Sequence, residues 1–588
     1  MNNIRQELKQ IIAEQLRALA ADAGVDSQAI DAASVQLEIP PRPEMGDLAV
    51  PLFPFARVLR QAPAAIAAAL LPRIDQALPG CTLEQAGAYI NVHLDRAALG
   101  RGIIERVLQE KERYGCTEEL SGTRVMIEFS CPNTNKPLHL GHLRNDILGE
   151  SVARILQANG AEVRKVNLIN DRGVHICKSM LAYRRFGNDA TPESEGIKSD
   201  HFVGKYYVCF NQWAKEDPDA EAQARTMLQQ WENGDPDVLE LWKLMNGWAV
   251  EGIWETYRRT GVSFDEVYYE SQTYRAGRDE VLRGLEQGVF SRHQDGSIWI
   301  DLEPIGLDKK VLLRGDGTSL YLTQDIGTAI ARHHDWPFDR LIYVVASEQR
   351  YHFTVLFHVL KQLGMPWADS LFHLAYGMVN LPEGKMKSRE GTVVDADDLI
   401  ARLEEMAVQE IRSKGREEEV GDVQATGADV ALGALHYYLL QVTPGKDMVF
   451  DPKESISFNG NTGPYLQYSG ARISSMLRKA SVDAQEQALS DEPIDAGLLS
   501  TAEEWELIKR LAEFPEIVGL AGRQHSPSIV TGYLYEVAKT FSRYYHDHPI
   551  AVEKELPTRA ARLALTRAVA QTLRNGCRLV GIPFLEVM

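Results

Sequence analysis

Short apolar runs alternate with helical stripes through the middle of the chain. Val125-Met126-Ile127, followed by Phe129, is a continuous apolar run that reads as a buried strand, and from Asp146 to Asn159 apolar residues recur at helical spacing. The rhythm repeats: Glu162 to Ile169 is strand-like and feeds Asn170-Asp171-Arg172-Gly173, while Leu341 to Val345 feeds a helix from near Tyr351 to Leu363. Strands alternating with helices predict a doubly wound parallel sheet, Rossmann-like, over residues 116–398. A polar, helix-rich stretch at about 191–265 interrupts it and reads as an insertion, with Trp231, Trp242, Trp248 and Trp254 as packing residues.

The flanks follow different patterns. Residues 1–115 begin with an amphipathic helix and continue through a turn-rich break, Pro40 to Asp47. An Ala-rich helix after Pro63, a strand-like Ala88 to Leu94 and a charged helix from Arg101 to Tyr114 complete this stretch. They predict a small α+β module. Residues 399–588 are helical throughout and predict an all-α bundle, so the chain reads as multidomain, α/β and all-α. Arg567, Arg574 and Arg578, at steps of seven and four, share one helix face and could meet a phosphate backbone or simply solvent.

Composition narrows the class. A chain of 588 residues is too long for one core. Its hydrophobic fraction of 44% and charged fraction of 25% are those of a water-soluble globular protein. No apolar run nears the roughly 20 residues a membrane helix needs, and the first residues hold no signal-peptide core, so a cytoplasmic protein without membrane contact is expected. Six scattered cysteines with no Cys-x-x-Cys pair indicate neither a disulfide framework nor a cysteine zinc site. The net charge of −19 argues at first against a nucleic-acid partner, but a local basic face can bind RNA on an acidic protein. An acidic surface without an assembly motif leans towards a monomer.

Candidate chemistry concentrates where the first strand turns into its helix. Phe129-Ser130-Cys131-Pro132-Asn133-Thr134-Asn135-Lys136-Pro137-Leu138-His139-Leu140-Gly141-His142-Leu143-Arg144-Asn145 places two imidazoles, a glycine and a lysine at a helix N-terminus. Backbone N–H groups and the helix dipole favour anions there, so a polyphosphate is the first expectation. The tetrapeptide His139-Leu140-Gly141-His142 alone is equally compatible with zinc ligation or a capped surface helix. A second candidate is the Gly-bounded basic stretch Gly384-Lys385-Met386-Lys387-Ser388-Arg389-Glu390-Gly391, whose charges could close over a triphosphate as pyrophosphate leaves.

Taken with its flanks, the first stretch resembles the "HIGH" signature of class I aminoacyl-tRNA synthetases in the form found in arginyl-tRNA synthetases. The second resembles their "KMSKS" loop, in the expected order, although Lys387, Ser388 and Arg389 stand where that pattern has Ser, Lys and Ser. The resemblance implies ATP, with Mg2+, as a substrate and no resident metal. It implies His139, Gly141, His142, Lys136, Lys385 and Lys387 in catalysis, with Leu140, Met386, Ser388, Arg389, Asp171 and Gly173 at the nucleotide. Lys136 or Arg389 would supply the charge displaced from the second loop. Tyr321-Leu322-Thr323-Gln324-Asp325 would hold L-arginine, with Asp325 on the guanidinium, Tyr321 and Gln349 beside it, and Glu128 and Asn133 near the head group. A guanidinium is always charged and offers a planar fork of donors, which a carboxylate matches; a helix N-terminal Asp is the plainer account of Asp325.

The flanking domains carry the same resemblance. Pro-x-x-Gly-Asp and Tyr89-Ile90-Asn91 are similar to the N-terminal domain that contacts the tRNA corner, and Thr462-Gly463-Pro464-Tyr465-Leu466-Gln467-Tyr468 to the start of the anticodon-binding domain. The implied reaction is arginyl-adenylate formation with pyrophosphate release, then transfer to the terminal ribose of the tRNA for arginine.

Overall fold

The computed structural model describes residues 2–38, 40–77, 81–317, 320–382, 394–480 and 494–588. The chain divides into two compact units. One comprises residues 1–115, 469–517 and 536–575; the other comprises 116–468, 518–535 and 576–588.

The second unit is built on strands β1 (Arg124–Glu128), β2 (Glu162–Ile169), β3 (Glu266–Tyr269), β4 (Arg340–Ala346) and β5 (Leu371–Tyr376). All neighbours pair in parallel, in the order β5-β4-β1-β2-β3. Val125, Met126 and Ile127 of β1 are at most 1% exposed. That burial explains the unbroken apolar run, because a central strand of a parallel sheet has helices on both faces. Chain order reverses across β1 and β4, and a crevice opens at the strand ends where such a sheet changes direction.

The helices of this unit include α1 (Leu140–Ala158), which faces the crevice, and α2 (Val174–Phe186), α3 (Ser199–Glu216), α4 (Pro236–Thr260), α5 (Glu270–Glu286), α6 (Tyr321–Asp335), α7 (Arg350–Gln362) and α8 (Ala396–Ser413). Helices α3 and α4 belong to the expected insertion. Its tryptophans are packing residues: Trp231, Trp242 and Trp248 back an apolar cluster around Met180, Met227 and Met245, and Trp254 lies 5.0 Å from the Tyr257 ring. Helix α1 starts six residues before the apolar periodicity does. The reason is local, since two histidine side chains cap its first turn.

In the first unit, strands Leu48–Pro51, Tyr89–Leu94 and Cys81–Ala86 form an antiparallel sheet with the second of them central. Helices Pro63–Ala77 and Arg96–Glu110 belong to the same unit. Within it the Tyr114 hydroxyl donates to Leu511 O at 2.6 Å, and Asn575 Nδ2 donates to Lys111 O and Tyr114 O at 2.7 and 2.8 Å. Residues 1–115 therefore pack with segments of the C-terminal helices.

Candidate active site

A cavity of about 530 Å³ occupies the crevice between β1 and β4. Ser130 and Cys131, just past β1, form one wall; Val344, Val345, Ala346 and Glu348 form another, with His139, Gly141, His142 and Asn145 from α1 between them. Ser130 and Cys131 adopt φ of +75° and +55°, a left-handed turn that non-glycine residues take at a cost. Asn145 holds the turn: its Oδ1 accepts the Ser130 N–H at 2.7 Å while its Nδ2 donates to Val344 O at 2.9 Å and to the Tyr376 hydroxyl at 3.1 Å. One amide thus ties the ends of β1 and β4 across the crevice. Next to it Arg144, 1% exposed, donates to Gly377 O, Met378 O, Pro444 O and Lys446 O at 2.7 to 3.1 Å.

His139 is the N-cap of α1. Its Nδ1 accepts the His142 N–H at 3.3 Å, His142 Nδ1 accepts the His139 N–H at 3.1 Å, and the rings stack 3.7 Å apart. An Nδ1 that accepts carries no proton, so the neutral tautomer of each ring has its hydrogen on Nε2. Burial pushes His139 down to about 4 and His142 well below its usual value, with the Lys136 charge acting in the same direction on both. Burial also lowers Lys136, which is half-buried. Gly141 lies under the His139 ring, and a methyl group in its place would be 3.0 Å from Cε1. The Leu140 side chain is buried, and its N–H donates to Val394 O at 3.1 Å. Lys385, Met386, Lys387, Ser388 and Arg389 lie outside the described residues.

A second locus lies beyond β4. Asp325, in the first turns of α6, receives His352 Nε2 of α7 at 2.5 Å. Helices α5 and α6 touch backbone to backbone at Gly277 and Gly327, where a side-chain carbon on either glycine would collide with the other helix. This approach sets Glu270, at the start of α5, near Gln324 and Asp325. Glu270 is 7% exposed; burial raises it to about 7, Arg172 opposes the rise, and Asp171 and Asp325 add to it. The sequence reading passed over Glu270, although an acid directly after Tyr268-Tyr269 at a strand end was a usable signal. Tyr321 is 74% exposed at the first position of α6, and Gln349 is exposed in the turn leading into α7.

Other expected residues have structural partners. Glu128 is buried in an ion pair with Arg332. Asn133 is exposed and pairs through its backbone with Asn170. The Asp171 carboxylate accepts the Ser271 N–H and hydroxyl at 2.9 and 2.7 Å, and Gly173 is the N-cap of α2. In the first unit Asn91 is buried at 3% exposure, and Tyr89 stacks edge-on against Phe53 at 5.5 Å. Arg567, Arg574 and Arg578 share the helix Leu556–Leu579, the last of them exposed.

A cavity at the switch point of a parallel sheet, faced by an imidazole-capped helix and accompanied by an acidic pocket, defines a nucleotide-dependent enzyme of Rossmann-like fold. Comparison with known proteins carries this further. Residues 103–451 match the family described as "tRNA synthetases class I (R), catalytic domain", residues 466–588 the "DALR anticodon binding domain", and residues 6–94 the "Arginyl tRNA synthetase N terminal domain". The chain is 56% identical over 593 residues to an arginine–tRNA ligase of Treponema denticola, with all of both chains covered. It is 45% identical over 572 residues to that of Bacteroides thetaiotaomicron, covering 93% of this chain and 94% of the other. Among solved structures, arginyl-tRNA synthetase from Thermus thermophilus superimposes with a TM-score of 0.75 at 27% identity, covering 98% of this chain and 99% of that one.

The chain belongs to the arginyl-tRNA synthetase family of class I aminoacyl-tRNA synthetases. It attaches arginine to tRNA for translation, with ATP as co-substrate.

Proposed function

We propose that the β1–β4 cavity binds ATP and that the Asp325–Glu270 pocket binds the arginine guanidinium, so that one turn of chain serves both substrates. The observation carrying this reading is the β4–α7 connection: Val344, Val345, Ala346 and Glu348 line the cavity, and His352, one turn later, holds Asp325. In the first step an arginine carboxylate oxygen attacks the α-phosphorus and pyrophosphate leaves. In the second a terminal ribose hydroxyl of the tRNA attacks the activated carbonyl and AMP leaves.

Phosphoryl transfer of this kind needs alignment and charge stabilisation more than a protein nucleophile. His139 and His142 are suited to it as neutral Nε2–H donors at a helix N-terminus, with Lys136 beside them as the cation. The described lining of the cavity includes one carboxylate, Glu348, too few for a resident metal site, so the Mg2+ of the reaction arrives with the triphosphate. Tyr321 and Gln349 complete the arginine site, with Asn133 towards the head group. The reading places RNA contacts on residues 1–115, at Tyr89, and on residues 399–588, at Arg567, Arg574 and Arg578; Asn91, expected beside Tyr89, is 3% exposed inside its strand and so cannot itself reach the RNA. It makes the enzyme a cytoplasmic monomer; among the described residues no helix is long and apolar enough to cross a membrane.

Amino-acid-dependent ATP–pyrophosphate exchange, with and without tRNA, tests this reading when run on Lys136→Ala. A loss beyond about tenfold, roughly 1.4 kcal/mol in barrier, supports Lys136 as the compensating charge, and a change within about twofold refutes it.

A further inference from the structure

The helical insertion reaches the catalytic helix through a knot of charges. The Asp397 carboxylate accepts Lys198 Nζ at 2.6 Å, Arg259 Nη1 at 3.0 Å and His201 Nε2 at 3.2 Å. Lys198 Nζ also lies 2.6 Å from Thr256 Oγ1 and 3.3 Å from Asp200, which is fully buried. His201 Nε2 is 3.5 Å from Asp395 as well. Asp200, His201 and Asp397 have the spacing of a metal site, but lysine and arginine side chains already sit on these carboxylates. The cluster is an ion-pair lock joining α3 and α4 to the start of α8.

The lock matters because of what Asp395 adjoins. Leu140 N–H donates to Val394 O at 3.1 Å and Ala396 N–H donates to Leu138 O at 3.0 Å, so residues 394–396 form an antiparallel bridge with His139 opposite Asp395. Asp395 also caps α8, accepting the N–H groups of Asp397 and Asp398 at 2.8 and 3.2 Å. His139 is therefore fixed from two sides: by His142 along its own helix, and by a segment whose carboxylates the insertion grips.

We propose that Lys198 and His201 are positioning residues for His139, setting through Asp395 and Asp397 the backbone register from which its imidazole is aimed at the triphosphate. The proposal rests on the reading of His139 as a triphosphate ligand. It gives the insertion a part in nucleotide turnover although its side chains line no part of the cavity.

A pH signature follows from the same geometry. His201 faces Lys198 and Asp200 from its own helix, Asp395 and Asp397 at the start of α8, and Arg259 from α4. The hydrogen bond to Asp397 raises it above its usual value, while burial opposes. As pH rises through that value, Asp397 loses one of its three basic partners and the grip on the His139 bridge weakens.

The test is steady-state ATP–pyrophosphate exchange on the full chain, with thermal melting alongside, for His201→Gln, His201→Ala and Lys198→Met. Expected is a rise of about fivefold or more in KM for ATP, or an equal fall in kcat, with KM for arginine within about twofold; the melting temperature should hold in the His201 variants and fall in Lys198→Met, which leaves the buried Asp200 carboxylate without its cation. The wild type should show an alkaline rise in KM for ATP, and this rise should vanish in His201→Gln, which keeps a donor near Nε2 but cannot titrate. Unchanged ATP kinetics, or a uniform loss of all parameters together with stability, overturns the proposal. His139→Asn run in parallel separates the two readings. If it leaves ATP kinetics intact, the assignment of His139 fails and the proposal with it; if it cripples turnover while the lock variants do not, the proposal alone fails.

Discussion

His139 and His142 hold each other by reciprocal backbone-to-Nδ1 hydrogen bonds, at 3.3 and 3.1 Å, so the cap of α1 and the orientation of both rings are one structure. The His139 ring is pushed down to about 4, and His142 is well below its ordinary value. Both are therefore neutral donors at working pH. The expected consequence is that kcat/KM for ATP shows no inflection between about pH 5 and 6.5, where an ordinary histidine would titrate. Folded pKa values below the unfolded one make the stability they contribute present above about 6.5 and lost as pH falls towards the folded values. A protonation step near 6.5 in the ATP profile that disappears in His139→Asn would contradict the tautomer assignment.

Gly141→Ala tests how closely the turn is fitted. The added methyl would stand 3.0 Å from His139 Cε1 and 3.1 Å from Nδ1, so the ring must move. Exchange activity should fall by about 10- to 100-fold in kcat/KM for ATP, while the melting temperature stays close to wild type, since alanine is the better helix former.

The proposed arginine pocket carries a different kinetic signature. Asp325→Asn and Glu270→Gln should each raise KM for arginine by about 100-fold, the loss of a carboxylate partner for the guanidinium, and leave KM for ATP within about twofold. Because Glu270 is raised to about 7, KM for arginine should fall as pH rises through that value and its carboxylate forms. Glu270→Gln should flatten this slope. Gly277→Ala, which forces α5 and α6 apart, should mimic both substitutions and cost stability as well.

Asp146 supplies a prediction about stability alone. It is fully buried on α1, and burial raises its carboxyl to about 8 against the opposing Ser130 hydroxyl. The folded pKa lies above the unfolded one, so the stability tied to its proton is complete below the unfolded value and lost as pH rises through about 8. Asp146→Asn should remove that slope and stabilise the protein at about pH 9 by roughly 2 kcal/mol in denaturant unfolding.

Much of this was legible in the sequence where the signal is local. The run Val125 to Phe129 announced a central strand, and His139-Leu140-Gly141-His142 with its neighbours announced the helix N-terminus that faces the crevice. The start of α1 was not legible from periodicity, because imidazole caps rather than apolar spacing define it. Glu270 escaped notice because it lies 55 residues before Asp325 in the chain and is brought near it only by the helix crossing at Gly277 and Gly327. Likewise Arg144 and Asn145 read as part of a motif, yet their work is to pin strand ends and loops distant in sequence. The ion-pair partner of Glu128, Arg332, was equally beyond reach of any local pattern.

The most direct test of the two-part site is a crystal structure of the protein with a non-hydrolysable arginyl-adenylate analogue. The adenosine and its phosphate mimic should lie against Gly141, with the mimic about 3 Å from the Nε2 atoms of His139 and His142, and the guanidinium should rest at similar distance on Asp325 and Glu270. A guanidinium bound away from both carboxylates, or a phosphate mimic off the N-terminus of α1, would contradict the account.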